Sequence, residues 1–189
     1  MFRMIAGLGN PGLQYARTRH NAGFMTVDLL GERLSARYWK DEAGSHTASV
    51  NFDDATIVLA KPLTYMNVSG RAIRRLSEKY EVKAPEVVVV HDDIDIPAGL
   101  IRVKQGGGHG GHNGLRSITD ELGSNEYVRI RVGVGRPFGR MSAADYVLQP
   151  LSGQALEELT QTVEDAADCV MHLLNHGLPS AMQEFNSRS

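Results

Sequence analysis

Apolar and polar positions along this chain change period repeatedly, from two to nearly four and back. Residues 3–9 are a short apolar run ended by Asn10-Pro11-Gly12, the pattern of a strand entering a turn. Over residues 21–36, Met25 pairs with Leu29 and Leu30 with Leu34, a spacing that predicts a helix. Residues 45–52 and 55–60 predict a hairpin around Asp53-Asp54. After Thr64, a helical stripe of Val68, Ala72, Ile73, Leu76 and Tyr80 stands opposite Arg71, Arg74, Arg75 and Lys79. Four consecutive valines, Val87 to Val90, predict a central strand buried on both faces and ending in His91-Asp92-Asp93.

Residues 100–104 and 127–134 alternate strictly. Ile101 and Val103 oppose Arg102 and Lys104, and Val128, Ile130 and Val132 oppose Arg129 and Arg131, so each basic pair is expected on one outward face. A long helix is predicted over residues 152–176, stopped by Gly177 and Pro179, with a short helix reaching Phe185. Residues 136–151 show no period and read as a loop. Strands alternating with helices predict an α/β fold: a single domain over residues 1–189, with a twisted, mixed and largely parallel β-sheet and helices on both faces. Ligands of such sheets sit beyond the carboxyl ends of the strands, which singles out Asn10 and Asp92 at one edge.

Chemistry concentrates where the periodicity breaks. Residues 106–114 read GGGHGGHNG, six glycines in nine positions, and lead straight into a helical spacing of Leu115, Ile118 and Leu122. So dense a glycine run loses much chain entropy on ordering, and bare backbone N–H groups at a helix start suit a polar or anionic group. Gly7-Leu8-Gly9-Asn10-Pro11-Gly12 fits a dinucleotide-binding fingerprint, but Pro11 removes an N–H and no helical stripe follows at once, so that reading is rejected. His20 stands just before the first helix. A carboxylate beside an imidazole raises its basicity and fixes its tautomer, which makes His20 with Asp92 a candidate general base. Asn10, Asn67 and Asn113 are neutral donors and acceptors near strand ends and helix starts; singly, Asn67 and Asn113 also suit helix caps. A metal reading on His109, His112 and Asp92 or His91, and a non-catalytic RNA-binding reading of the glycine loop and basic strands, stand as alternatives.

The composition narrows the setting. The net charge of −2 argues against broad non-specific nucleic-acid binding, although 15 of the 20 basic residues are arginine, the better bidentate phosphate partner. A single cysteine, Cys169, excludes an internal disulfide framework and suits a reducing compartment, and no apolar span approaches membrane length, so a cytoplasmic protein is expected. No nucleophile elbow of the GxSxG type is present.

Five blocks in this order resemble the bacterial peptidyl-tRNA hydrolase family along essentially the whole chain. They are Gly7 to Gly12, Thr18-Arg19-His20-Asn21-Ala22-Gly23, Thr64-Tyr65-Met66-Asn67, His91-Asp92-Asp93-Ile94-Asp95 and Gly106 to Leu115. The resemblance implies a monomeric, cytoplasmic, metal-free and cofactor-free enzyme that cleaves the ester between a peptide and the 3′-terminal ribose of tRNA. It implies that His20 activates water, that Asp92 supports its basic form, and that Asn10 helps distinguish a blocked amine from a free one. It further implies substrate contacts by Tyr15, Tyr65, Asn67 and Asn113, and a 5′-phosphate contact by Lys104 and Arg131. Asp93 inherits no role.

Overall fold

The computed structural model describes residues 1–189, and its centre is the valine-rich strand. Seven strands form one sheet: β1 (Met4–Gly7), β2 (Trp39–Glu42), β3 (Ser45–Phe52), β4 (Ala55–Pro62), β5 (Val87–Asp93), β6 (Ile101–Gln105) and β7 (Val128–Gly133), in the order β2-β3-β4-β1-β5-β7-β6. The four central strands β4, β1, β5 and β7 are parallel, while β2, β3 and β6 extend the two sides antiparallel. Five helices complete the chain: α1 (Ala22–Arg33), α2 (Ser69–Tyr80), α3 (Asn113–Leu122), α4 (Ala143–Leu148) and α5 (Gly153–Asn186).

The period of two along the central strands splits the core between two faces. Ile5, Val88 and Val90 join Val27 and Leu30 of α1 and Leu159, Val163 and Val170 of α5 on one face. Met4, Ala6, Val87 and Val89 join Ile73 and Leu76 of α2 and Leu115 and Ile118 of α3 on the other. Both faces are therefore covered, as the continuous valine run requires. No helix is long and apolar enough to cross a membrane.

One expectation about the elements needs correction. Residues 136–151 are not loop throughout: they contain α4, whose cap Ser142 accepts from the Asp145 N–H. The long helix is broken at Gly177, as expected, and a second helical segment follows it and runs to Asn186. The resumed segment closes the sheet's exposed side: the Asn186 side chain accepts from the Val103 N–H and donates to the Val103 carbonyl, satisfying edge strand β6.

Candidate active site

β1 and β5 run side by side with Gly7 opposite Val90, so residues leaving their carboxyl ends meet at one lip of the sheet. Asn10 leaves β1 there, and Asp92 is near the end of β5. His20 arrives on a 3₁₀ turn, Arg19–Asn21, immediately before α1. What brings that turn close is a backbone-to-backbone approach. A Cβ on Gly7 would lie 2.1 Å from the Gly23 carbonyl oxygen, and one on Gly23 would lie 2.3 Å from the Leu8 nitrogen and the Val90 oxygen. Gly7, the first glycine of the dinucleotide-like fingerprint, and Gly23 thus serve to seat α1 on the two central strands.

The His20 Nδ1–H donates to both oxygens of Asp92, at 2.9 and 3.0 Å. His112 Nε2–H donates to the same Asp92 Oδ1 at 3.0 Å. The opposite nitrogen of His112, Nδ1, accepts from the N–H groups of Gly114 and Leu115 at the start of α3, which keeps its proton on Nε2. His112 is thus the helix cap, and neither Asn67 nor Asn113 makes a capping bond. His91 donates from Nδ1 to the Asp92 backbone carbonyl at 2.7 Å and sets its ring edge-on to His112.

Charge follows from this geometry. Burial opposes ionisation of Asp92, but the charges of His20 and His112 and their hydrogen bonds outweigh it and hold the carboxyl far below the usual carboxylate range. Burial likewise works against a charged His20, yet the Asp92 charge and hydrogen bond reverse the sign and raise its pKa above the ordinary 6.5. His91 goes the other way: complete burial, with His112 adding to it, pushes it well down and keeps it neutral.

Asn10 is held on three sides. Its backbone N–H donates to Asn21 Oδ1 at 2.9 Å, its carbonyl accepts from Asn21 Nδ2 at 3.0 Å, and its own Oδ1 accepts from the Met66 N–H at 2.8 Å. With the amide oxygen committed, the amide N–H₂ of Asn10 is the group left to face a ligand. A cavity of about 700 Å³ opens here, lined by Asn10, His20, Asp92, Tyr65, Asn67 and Asn113. Lys104 and Arg131 line it too, while α4 supplies an apolar wall of Ala143, Ala144, Val147 and Leu148. The α4 wall is latched to the His20 turn, where the Arg19 guanidinium lies 3.9 Å from the centre of the Tyr146 ring. Tyr15 is half-buried in a separate 3₁₀ turn, Leu13–Tyr15, and does not line the cavity.

The two basic strand pairs do not behave alike. Arg131 is partly exposed and donates from Nε to Asp93 Oδ2 at 2.9 Å. The Lys104 ammonium rests over Gly107, 2.7 Å from where a Cβ would stand. Arg129 is not on an outward face at all: it is 1% exposed, and its guanidinium is spent on the carbonyls of the glycine loop. Arg102 is spent as well, donating to the Phe185 and Arg188 carbonyls at the end of the chain.

The ligating atoms of His20, Asp92 and His112 lie within 4.8 Å of one another, the one group of this kind with a metal-like spacing. His109 is outside it and accepts from the Gly111 N–H of its own loop. Within the trio both imidazole N–H groups point at the carboxylate, and turning His112 Nε2 into a metal donor would cost the α3 cap. The arrangement is that of a hydrogen-bonded proton-handling cluster.

Sequence reasoning joined His112 to Asp92 only as a possible metal ligand, not as a hydrogen-bond donor, and did not assign Asn21 to Asn10 or Arg129 to the loop. For His112 a signal existed, a histidine one position before a helix start, but capping preferences pointed to the asparagine beside it.

The chain is similar to known proteins along nearly its whole length. The family model described as peptidyl-tRNA hydrolase matches residues 4–189. A peptidyl-tRNA hydrolase of Nocardia farcinica is 45% identical over 184 residues, covering 97% of this chain and 95% of the relative. One of Frankia casuarinae is 46% identical over 184 residues, covering 97% and 93%. Among solved structures, the peptidyl-tRNA hydrolase of Acinetobacter baumannii superposes with a TM-score of 0.90 at 34% identity, over 100% of this chain and 96% of that one.

Proposed function

The chain belongs to the peptidyl-tRNA hydrolase family, which hydrolyses the ester bond of peptidyl-tRNA, and we propose that His20 is the base that activates water for that cleavage. The observation that carries the assignment is the pair of bonds from His20 Nδ1–H to Asp92, which leaves Nε2 as the lone pair available to the cavity. Nε2 takes a proton from water as the water oxygen bonds to the ester carbonyl carbon. Asp92 stabilises the imidazolium that forms. The same proton then passes to the ribose oxygen as the carbon–oxygen bond to the ribose breaks, returning His20 to its starting state. An ester of an alcohol is activated enough for this direct attack, so no covalent nucleophile is needed.

Neutral amides surround the reacting carbonyl. Asn10 offers its N–H₂ to a peptide-like carbonyl and has no charge with which to hold a free ammonium, which supports a preference for blocked amines. Asn67 and Asn113 on the cavity lining are suited to the same uncharged work, and Tyr65, also on the lining, to contacts with the acceptor end; Tyr15 lies outside the cavity. The 5′ phosphate is assigned to Lys104 and Arg131. On this reading the enzyme acts as a single domain over residues 1–189, as a monomer in the cytoplasm, with no cofactor and no obligate protein partner.

Turnover of an N-blocked aminoacyl-tRNA, with the unblocked form as control, tests the proposal. His20→Ala is expected to lower the rate by about 10²–10⁴-fold, the usual worth of a general base, without unfolding the protein. Wild-type turnover by that variant would remove His20 from the mechanism.

A further inference from the structure

Arg129 is a fully buried guanidinium that makes no ion pair, and the mechanism above gives it nothing to do. It is the largest of the fully buried side chains, at 1% exposure. Taking such a charge out of water without a carboxylate partner is costly, and an apolar side chain of similar volume would serve a core better. Its two terminal nitrogens donate to the carbonyls of Gly108 and Gly107, at 2.6 and 2.5 Å. Its Nε is buried and has no partner, and with both terminal nitrogens spent on backbone carbonyls the group is not a spare anion ligand.

The loop it grips has little else to place it. Added Cβ atoms on Gly108, Gly110 and Gly111 would meet nothing within 4 Å, so these residues are held by no packing. The loop is fixed at its two ends: at one by Arg129 on Gly107 and Gly108, with a longer bond from Asn125 Nδ2 to the Gly107 carbonyl and one from the Gly106 N–H to the Tyr127 carbonyl, and at the other by His112, bonded to Asp92 and to the first turn of α3. Tyr127 belongs to the same strut. Its ring lies 4.8 Å from the guanidinium carbon, and its hydroxyl donates to the Leu115 carbonyl, three residues beyond His112. A single strand, β7 with the residue before it, therefore braces the chain on both sides of His112.

We propose that Arg129 is a positioning residue for ester cleavage: by holding Gly107 and Gly108 it sets the glycine loop so that His112 reaches Asp92. The inference rests on the hydrolase reading for its kinetic consequence only; the loop geometry is testable without turnover. All three basic residues line the cavity, but Lys104 and Arg131 are half-buried with side chains partly open to it, whereas Arg129 is 1% exposed.

The test compares Arg129→Met, which removes both carbonyl bonds, with Arg129→Lys, which keeps a buried cation and at most part of them. Amide exchange across residues 106–111 and the imidazole N–H proton signals of His20 and His112 are measured first. Faster exchange in the loop with β7 still protected, and loss of the His112 signal with the His20 signal retained, is the expected result for Arg129→Met. Its kcat on a minimal N-blocked aminoacyl nucleotide should fall about 10–100-fold, the usual effect of misplacing a site by an ångström, with Arg129→Lys intermediate. A folded Arg129→Met with wild-type loop exchange and both histidine signals overturns the proposal. If Arg129→Met does not fold, Arg129→Lys decides by the same readouts. Failure of both to fold would assign Arg129 to stability alone and overturn it too. An inactive wild type would instead sink the hydrolase reading and leave the loop measurements standing.

Discussion

Asp92 accepts from His20 and His112 at once, so one carboxylate sets the proton on two imidazoles. Its effect on His20 has a definite sign. A protonated His20 cannot take a proton from water, and its pKa is raised above 6.5, so kcat/KM should fall as pH drops through a point above 6.5. In Asp92→Asn the raising influences vanish and burial remains, which lowers an imidazole pKa. The acid limb should then move to lower pH while the plateau rate drops, as measured on an N-blocked aminoacyl ester between about pH 5 and 9. A limb that stays in place would detach Asp92 from His20. At this scale the sequence revealed the pair, because a polar residue at the carboxyl end of a buried strand has few other uses. It concealed Arg129. Alternation assigns a side chain to a face of the sheet but says nothing of what later covers that face, and here the glycine loop itself covers it.

Elements position these residues, and the contact that seats His20 is the close approach of α1 to β1 and β5 at Gly23. A methyl group on Gly23 would collide with backbone atoms of both strands, which cannot swing aside as a side chain tip can. Gly23→Ala should therefore cost at least the 1–3 kcal/mol or so typical of overpacking, read as a fall in the denaturation midpoint. Because Gly23 lies three residues beyond His20, turnover should fall along with stability; an unchanged midpoint would mean that the two backbones do not meet so tightly. Long, strongly periodic elements were legible: α1, α2, α3, the hairpin of β3 and β4, and the valine strand β5 fall close to their predicted places. The misses share a physical reason. α4 is six residues, too short to show a helical period, and β2 is a polar edge strand whose Lys40 and Asp41 are exposed. The break at Gly177 was legible too, as was the short helix beyond it, where Ala181 and Phe185 are buried.

The whole molecule carries a net charge of −2, yet its substrate is a polyanion. Attraction must therefore be local, and beside the cavity the cations are Lys104 and Arg131, since Arg129 and Arg102 are committed to backbone carbonyls. They are unequal. Arg131 already shares its charge with Asp93, whereas burial and the nearby charges of Arg131 and Arg129 lower the pKa of Lys104. An arriving phosphate would relieve that repulsion at Lys104, but would have to compete with Asp93 for Arg131. Lys104→Ala should accordingly weaken tRNA binding and make the plot of log affinity against log salt shallower by about one unit, the loss of one phosphate contact. Asp93→Asn should do the opposite and tighten binding, by freeing Arg131. Neither change should alter cleavage of a minimal peptidyl-nucleotide that lacks the 5′ phosphate. Equal losses on the long and the short substrate would place Lys104 within the catalytic cavity's own work and leave the phosphate without its proposed partner.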